Sequence, residues 1–176
     1  LSNRAVLEGP DILRALRRIS HEILEANEGP ENLVILGIPT RGIELARRIF
    51  EILQAIEPNQ IIEFGILDIT MYRDDLVTAE REIAESSLPA SGIDDKVVVL
   101  VDDVLFSGRT VRAALDALTS YGRPKQVKLA VLVDRGHREL PIRPDFVGKN
   151  LPTSVAERVS VQLQGSDGLD QVVISG

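Results

Sequence analysis

The sequence predicts an α/β fold in which helices flank a central parallel sheet. Three short apolar runs, at residues 33–38, 97–101 and 129–133, have the length and continuity of strands that are buried on both faces. Amphipathic stretches with helical spacing follow two of them, at residues 43–56 and 110–121. Strands that alternate with helices form parallel βαβ units, and such sheets bind ligands at the carboxyl ends of their strands.

Length and composition restrict the class of protein. A chain of 176 residues and 19.3 kDa fits one domain, because two cores of half this size would each be poorly stabilised; we therefore expect residues 1–176 to form a single domain. A hydrophobic fraction of 44% excludes a disordered chain. No run is long enough to span a bilayer, and residues 1–4 lack the apolar core of a signal peptide. We expect a cytoplasmic protein that does not contact a membrane.

The net charge and the number of metal-binding residues restrict the partners that the protein can bind. The chain has no cysteine and two histidines, which excludes disulfides and thiolate metal sites, so any metal must be a hard cation on oxygen ligands. The net charge of -7 argues against a protein that is basic overall and binds nucleic acid through its general charge. A local basic face remains compatible with this charge.

The first predicted element is an amphipathic helix capped by Asp11, after Gly9 and Pro10. Its apolar positions recur with helical spacing, and its opposite face carries four basic side chains at spacings of three and four. These are Arg14, Arg17, Arg18 and His21.

The remaining elements follow in order along the chain. The strand at 33–38 is broken by residues 39–42, and a helix follows at 43–56. Residues 61–72 form the next predicted strand, and residues 73–95 a long polar loop. The strand at 97–101 leads to a helix at 110–121, and the strand at 129–133 to an irregular segment at 134–152. Two short strands near residues 159–163 and 171–174 end the chain.

The strongest chemical motif follows the strand at 97–101. Asp102 and Asp103 stand at its predicted carboxyl end, and a turn of small residues then opens a helix. Carboxylates accept hydrogen bonds from vicinal hydroxyls, while the N–H groups of the turn and the helix N-terminus favour a phosphate. The motif therefore suits a ribose phosphate. The alternative is an acid-capped turn without a ligand, and the spacing is not that of a Walker A loop.

The whole string at residues 98–110 resembles the signature with which type I phosphoribosyltransferases bind 5-phosphoribosyl 1-pyrophosphate (PRPP). The resemblance implies this family's fold, with a flexible lid at about residues 73–95 and a small hood at about 134–158 with the C-terminal strands. It implies PRPP or nucleotide contacts from Asp102, Asp103, Val104, Leu105, Phe106, Ser107, Gly108, Arg109 and Thr110.

A second segment, Thr40, Arg41 and Gly42, stands where this family carries its pyrophosphate loop. Arg41 offers a guanidinium fork to phosphate oxygens, and Gly42 leaves backbone N–H groups free near a helix start. Alone, the segment would be an ordinary turn. Beside the first motif it indicates a pyrophosphate site, and in the lid Arg73 or Arg81 could reach the same group.

Other segments indicate the branch of the family. Relatives that act on hypoxanthine and guanine carry an acid where this chain has Phe106, which disfavours an oxopurine acceptor. Residues 67–76, 122–124, 129–144 and 148–154 closely resemble the pyrimidine operon regulatory proteins. That resemblance implies a protein that senses UMP or UTP, binds leader RNA of pyrimidine genes, and converts uracil and PRPP to UMP and pyrophosphate. Arg17 departs from the pattern, which has a hydroxyl residue there in many relatives.

The resemblance also implies the mechanism. Mg²⁺ would bridge pyrophosphate and ribose oxygens, with Asp102 and Asp103 as candidate protein ligands, and catalysis would rest on Asp102, Asp103 and Arg41 through positioning and electrostatics. The sequence offers no dedicated general base. We expect uracil near Arg135 and Val159, read by backbone groups.

For RNA we expect a basic surface that joins the first helix to the hood, consisting of Arg14, Arg17, Arg18, His21, His137, Arg138, Arg143 and Lys149. The alternative for the helix is an ordinary solvated face, since Glu22, Glu25 and Glu28 accompany its cations. A salvage enzyme without an RNA role and a regulator without catalysis are the competing functions. We expect a homodimer or homotetramer.

Overall fold

The computed structural model describes residues 2–74 and 86–176. The strands are β1 (Arg4–Glu8), β2 (Leu33–Gly37), β3 (Glu63–Ile66), β4 (Val97–Leu105), β5 (Gln126–Asp134), β6 (Phe146–Asn150), β7 (Arg158–Gln162) and β8 (Gln171–Ser175). The helices are α1 (Gly9–Ala26), α2 (Arg41–Ile56), α3 (Arg109–Leu118) and α4 (Gln164–Asp167), with a 3-10 turn at Thr70–Tyr72.

Five parallel strands form the central sheet, in the order β3-β2-β4-β5-β6. The three apolar runs of the sequence form β2, β4 and β5, so the predicted α/β fold with a central parallel sheet is confirmed. β4 lies in the middle and continues four residues beyond the predicted strand, to Leu105. Its carboxyl end is therefore flanked on one side by the end of β2 and on the other by the end of β5.

Successive side chains of each strand point to opposite faces of the sheet, and this divides the core into two layers. Ile35 and Val99 face α1 and α2 on one side of the sheet, and Val34 and Leu100 face α3 on the other. All four side chains are buried, as expected for strands covered by helices on both faces. The two layers hold α2 and α3 against β4 from opposite sides, and both helices begin near its carboxyl end.

Helix starts differ from the sequence prediction by one to three residues. α1 begins at Gly9, and Asp11, the predicted cap, instead lies in the first turn, where it accepts a 2.9 Å hydrogen bond from the N–H of Glu8. Pro10 occupies the first turn because a helix has no partner for an N–H there. α2 begins at Arg41, two residues before the predicted start, which brings Arg41 and Gly42 into the helix itself.

A second, three-stranded antiparallel sheet has the order β1-β8-β7; we call it the small sheet. β7 and β8 match the two predicted C-terminal strands, whereas β1 and β6 were not anticipated. β6 falls in the expected hood at 134–158, but it pairs with β5 as an edge strand of the central sheet. Its sequence, Phe-Val-Gly-Lys-Asn, lacks the apolar run that indicated the other strands.

The described part of the long polar loop is not an open segment. Residues 75–85 of the expected lid, Arg81 among them, lie outside the described residues. Ser87 exchanges two backbone hydrogen bonds with Ile66, of 2.8 and 2.9 Å, and Ile93 is fully buried. Residues 86–95 are therefore packed against the domain. In the described part of the chain, none of the helices has the length and hydropathy needed to cross a membrane.

Candidate active site

A polar cleft of about 360 Å³ opens at the carboxyl edge of the central sheet. Three strands contribute to it, because the loops after β2, β3 and β4 meet at this edge. The lining residues are Pro39, Thr40, Arg41, Asp68, Ile69, Thr70, Arg73, Asp102, Asp103, Val104 and Thr110. The structure thus brings together both motifs that the sequence singled out.

The acid pair lies within β4 and not after it. Asp102 is only 7% exposed and accepts a 2.9 Å hydrogen bond from the N–H of Asp103, whose own carboxylate accepts a 2.7 Å bond from the N–H of Val104. Burial, reinforced by the charge of Asp103, raises the pKa of Asp102 well above its ordinary value. A proton, a cation or a ligand hydroxyl at this carboxylate would relieve the cost of its burial.

The turn after β4 forms a second, smaller cleft of about 150 Å³ that shares Arg73, Asp102 and Thr110 with the first. Gly108 caps α3 with φ at 93°, a conformation that side chains rarely adopt, and a Cβ there would lie 3.0 Å from the side chain of Ile142. The first N–H groups of α3 have no partner within the helix, and the residues that carry them, Arg109 to Val111, line this cleft. The arrangement suits a phosphate group.

A segment between β5 and β6, residues 135–145, leans on this turn; we call it the strap. The N–H groups of Glu139 and Leu140 donate to the carbonyl of Ser107 at 2.9 and 3.1 Å. Arg109 donates to Glu139 at 2.8 Å and to Asp74 at 3.0 Å, so its side chain links the strap to the start of the lid. The turn after β4, which we call the phosphate turn, and the strap therefore form one connected unit.

The other side of the cleft is the loop before α2. The peptide bond between Pro39 and Thr40 is cis. Arg41 lines the cleft, yet its Nε and Nη2 donate to Asp167 of α4 at 3.1 and 2.7 Å, a pairing that the sequence did not suggest. Hydrogen bonding to Asp167, with the charges of Asp167 and Asp103, raises the pKa of Arg41 further. Gly42 packs so closely on β4 that a Cβ would lie 2.5 Å from the carbonyl oxygen of Val101.

An aromatic and cationic cluster borders the smaller cleft. The guanidinium of Arg135 lies 4.3 Å from the centre of the half-exposed Phe106 ring, and His137 meets the same ring edge-on at 6.2 Å. Arg135 is 7% exposed, donates to the carbonyl of Ser154 at 2.9 Å, and keeps a buried Nε without a partner among the described residues. Burial lowers the pKa of Arg135. Val159 lies apart from this cluster, in β7, where it packs against the core and lines neither cleft.

Sequence reasoning missed two polar cleft residues, Asp68 and Thr70, and named Arg73 as a lid residue that could reach the pyrophosphate. Asp68 accepts bonds from both the N–H and the hydroxyl of Thr70, at 2.9 and 2.7 Å, which fixes this corner of the cleft. The sequence did contain a signal for Asp68 and Thr70, because both residues follow a strand that neighbours β2 in a parallel sheet. The prediction of one strand over residues 61–72 concealed it, because β3 ends at Ile66.

Comparison with known proteins decides the family. A family model described as a phosphoribosyl transferase domain matches residues 2–164. A protein of Streptomyces coelicolor named Bifunctional protein PyrR is 61% identical over 172 residues, which is 97% of this chain and 89% of the relative. The chain belongs to the PyrR family of phosphoribosyltransferases. Proteins of the same name from Leifsonia xyli and Brevibacillus brevis are 61% and 56% identical, and the matches cover 97% and 99% of this chain and 96% and 97% of the relatives.

Solved structures confirm the type I phosphoribosyltransferase fold. A hypoxanthine phosphoribosyltransferase of Staphylococcus aureus has a TM-score of 0.71 at 20% identity, and the match covers 96% of this chain and 90% of the other. The corresponding enzyme of Trypanosoma cruzi has a TM-score of 0.72 at 16% identity, with 97% and 95% covered. At these identities the likeness concerns the fold alone.

Two of the arginines expected to contact RNA make hydrogen bonds within the fold of this PyrR family member. Arg18 donates to the carbonyls of Val147 and Gly148 at 3.0 and 2.6 Å, so it attaches α1 to β6. Arg138 uses its guanidinium within the strap: it donates to Ile142 at 2.8 Å, to Phe106 at 3.0 Å and to Asp134 at 2.6 Å. Burial opposes ionisation of Asp134, but the hydrogen bond from Arg138, the bond from the N–H of Gly136 and the charge of Arg138 hold its pKa below the ordinary value. Arg138 is a structural cation.

The other expected RNA contacts do not all share one face. Arg14, Arg17 and His21 are exposed on α1, where Arg14 pairs with Asp11. Lys149, on β6, lies close enough to Asp11 to contribute to lowering its pKa, after the larger effects of the Glu8 N–H and Arg14, so it adjoins this face. His137 bonds to the carbonyl of Thr153 above the sheet edge. Arg143 lines a groove beside α3, on the opposite side of the sheet from α1.

Proposed function

We propose that this PyrR family member transfers the phosphoribosyl group of PRPP to uracil and, in response to UMP or UTP, binds leader RNA of pyrimidine genes. The observation that carries the proposal is the 61% identity, over nearly the whole chain, to proteins named bifunctional PyrR. The cleft supports it, because two carboxylates, a guanidinium and a helix N-terminus meet at one sheet edge. Cytoplasmic location is part of the proposal, since PRPP and nascent transcripts occur together there.

In this proposal each side of the cleft holds one part of PRPP. The carboxylates of Asp102 and Asp103 accept hydrogen bonds from the two ribose hydroxyls, and the turn from Ser107 to Thr110 holds the 5-phosphate at the start of α3. Thr40 and Arg41 hold the pyrophosphate across the cleft. The nitrogen N1 of uracil bonds to the ribose carbon C1 as the bond from C1 to pyrophosphate breaks. Pyrophosphate takes the bonding electron pair, and the proton of N1 passes to water or to the departing pyrophosphate.

The donor set fits Mg²⁺ that arrives with its phosphate ligand. Among the described residues, no group of three or more acidic, histidine or cysteine side chains could hold a metal ion alone. Three carboxylates line the cleft, those of Asp68, Asp102 and Asp103, and Mg²⁺ in nucleotide enzymes is held by one or two carboxylates together with substrate phosphates. Asp102 and Asp103 would hold it, and it would neutralise charge on the leaving pyrophosphate. The remaining catalysis is the positioning of ribose and pyrophosphate by the protein.

We place uracil beside Phe106, against the strap. The ring of Phe106 is 37% exposed and offers one face for stacking, since Arg135 covers another part of it. An aromatic ring here gives no acidic partner for a purine, which agrees with a pyrimidine acceptor. Backbone groups near Arg135 then read the edge of the base. Val159 supports the small sheet and stays outside this contact.

The RNA surface in this proposal is the exposed face of α1 with the neighbouring end of β6. Arg14, Arg17, His21 and Lys149 lie there, and Arg17 and His21 have no hydrogen-bond or ion-pair partner among the described residues. Free cations on a face of an acidic protein suit contacts with RNA phosphates. His137 joins them only where the strap is ordered by nucleotide. Arg143, on the far side of the sheet, would meet a different part of the RNA or a second subunit of a homodimer or homotetramer.

Two assays on one sample test the proposal. UMP formation from uracil, PRPP and Mg²⁺ tests catalysis, and gel shifts of a pyrimidine leader RNA with and without UMP test regulation. We expect turnover, and RNA binding that tightens when UMP is present; by reciprocity RNA must tighten UMP binding by the same factor. Turnover without any RNA shift would leave a salvage enzyme, and RNA binding without turnover a regulator alone. Sedimentation velocity reports the oligomer.

A further inference from the structure

Two arginine–aspartate pairs attach α2 to the segment between β7 and β8. Arg41 donates from Nε and Nη2 to Asp167 at 3.1 and 2.7 Å, and Arg48 donates from Nη1 and Nη2 to Asp170 at 2.8 Å each. Both pairs are bidentate and partly buried, with exposed side-chain fractions of 34% and 18% in the first and 24% and 22% in the second. The two pairs are alike in their contacts with aspartate, although Arg48 also donates to Glu44 at 2.6 Å.

The two aspartates are also matched in their backbone contacts. Asp167 accepts a 2.9 Å bond from the N–H of Leu163, and Asp170 accepts a 2.7 Å bond from the N–H of Gln164. Arginine lowers the pKa of each carboxyl through hydrogen bonding. A role limited to holding this segment against α2 would therefore belong to both aspartates equally.

Only one of the two arginines lines the cleft. Arg41 stands at the first position of α2, facing Asp102 and Asp103 across the cleft, whereas Arg48 lies seven residues further along the helix and outside it. Among the described residues, Asp167 is the sole hydrogen-bond partner of Arg41. Asp167 occupies the edge of the guanidinium formed by Nε and Nη2. Nη1 and the second hydrogen of Nη2 form a free edge that can bind a phosphate bidentately.

We propose that Asp167 is a positioning residue that orients the free edge of Arg41 toward the pyrophosphate of PRPP. An unpaired arginine has many rotamers, and a ligand that binds it must first fix one of them. Asp167 fixes this rotamer when the chain folds, so the cost of ordering Arg41 does not reduce ligand affinity. The inference rests on the proposed function for the identity of the ligand, and on the two bidentate pairs for the role of Asp167.

The first test compares Asp167→Asn with its matched control, Asp170→Asn. We expect Asp167→Asn to raise the KM for PRPP about tenfold, the equivalent of one charge-assisted hydrogen bond, while kcat stays within about twofold. The KM for uracil should not change. Asp170→Asn should leave all three constants near those of the parent protein, and thermal unfolding of both variants reports any shared loss of stability. Equal increases of the PRPP KM in the two variants would overturn the proposal.

A double-mutant cycle gives the second test. If Asp167 acts through Arg41, then adding Asp167→Asn to Arg41→Ala must not raise the PRPP KM further. Additive effects would assign Asp167 a separate role and overturn the proposal. Calorimetry with Mg²⁺ and inorganic pyrophosphate repeats the comparison without turnover. A parent protein that binds pyrophosphate but forms no UMP would contradict the proposed reaction alone, whereas unchanged pyrophosphate affinity in Asp167→Asn would contradict the positioning role alone.

Discussion

Replacement of Gly42 by alanine should damage stability and catalysis together. Gly42 is the second residue of α2 and lies against β4 beside the acid pair. A Cβ would lie 2.5 Å from the carbonyl oxygen of Val101 and 3.3 Å from the Cα of Asp102. Both are backbone atoms, so no rotamer change relieves the clash. Ordinary contact begins at 3.4 Å, and the start of α2 must therefore move away from β4 by about 0.9 Å.

The size of both effects follows from this displacement. Overpacking of this kind costs about 1–3 kcal/mol, so the melting temperature of Gly42→Ala should fall by several degrees, as measured by calorimetry. The same movement separates Thr40 and Arg41 from the acid pair. Because a misplacement of about 1 Å between reacting groups can cost about 100-fold, UMP formation should fall by that order.

Gly9→Ala is the matched control, since Gly9 is the first residue of α1. The nearest atom to its added Cβ is the Cβ of Asp170 at 3.6 Å, an ordinary contact. We expect unchanged activity and an unchanged or slightly higher melting temperature. A Gly42→Ala variant that melts and turns over like the parent protein would show that α2 adjusts freely against β4, and would refute the reasoning.

Four further predictions concern the acid pair, the RNA surface and the attachment of α1 to β6. Asp103→Asn should abolish UMP synthesis without a change in melting temperature, because its carboxylate faces the cleft; full turnover at saturating PRPP would remove Asp103 from the site. Folding raises the pKa of Asp102, so the folded chain binds the proton more tightly than the unfolded chain, and the stability contribution of this group falls as the pH rises above 3.8. Asp102→Asn should therefore unfold at higher denaturant concentration than the parent protein at pH 8, and the difference should vanish toward pH 3.8; a gain that is constant with pH would contradict the assignment. The double variant Arg17→Ala with His21→Ala should weaken RNA binding and reduce its salt dependence, by about 0.7 in log–log slope for each phosphate that the variant no longer neutralises, at normal UMP synthesis. Arg18→Ala should instead lose about 1 kcal/mol of stability, measured by urea unfolding, because Arg18 attaches α1 to β6.

The sequence alone could predict those parts of the fold and of the site that depend on the pattern of neighbouring residues. The apolar runs of β2, β4 and β5 are buried on both faces, and continuous burial leaves an unambiguous signal. The acid pair and the turn at Gly108 could be located for the same reason, since both follow the apolar run of β4 at a fixed spacing. β6 was missed because an edge strand needs an apolar residue only where it meets a neighbour.

Contacts between distant segments could not be derived from the sequence. Arg41 and Arg48 meet aspartates that lie more than 120 positions away along the chain, and no local pattern specifies such a partner. The contacts of Arg138 could not be predicted for a related reason. Its charge and position suggested an external contact, whereas the fold supplies three acceptors from the strap, β5 and the phosphate turn.

The small sheet pairs strands from opposite ends of the chain, which sets an order of folding. Arg4 lies opposite Ile174, so this contact closes a loop of about 170 residues, and long loops carry a high entropic cost before any pairing compensates for it. β2 to β6 can form a sheet before β1 meets β8. During synthesis, the acid pair and the phosphate turn can therefore assemble while Asp167 is still inside the ribosome, and Arg41 reaches its bound geometry last. Amide hydrogen exchange should show this order in reverse, with β8 opening at a lower free energy than β4.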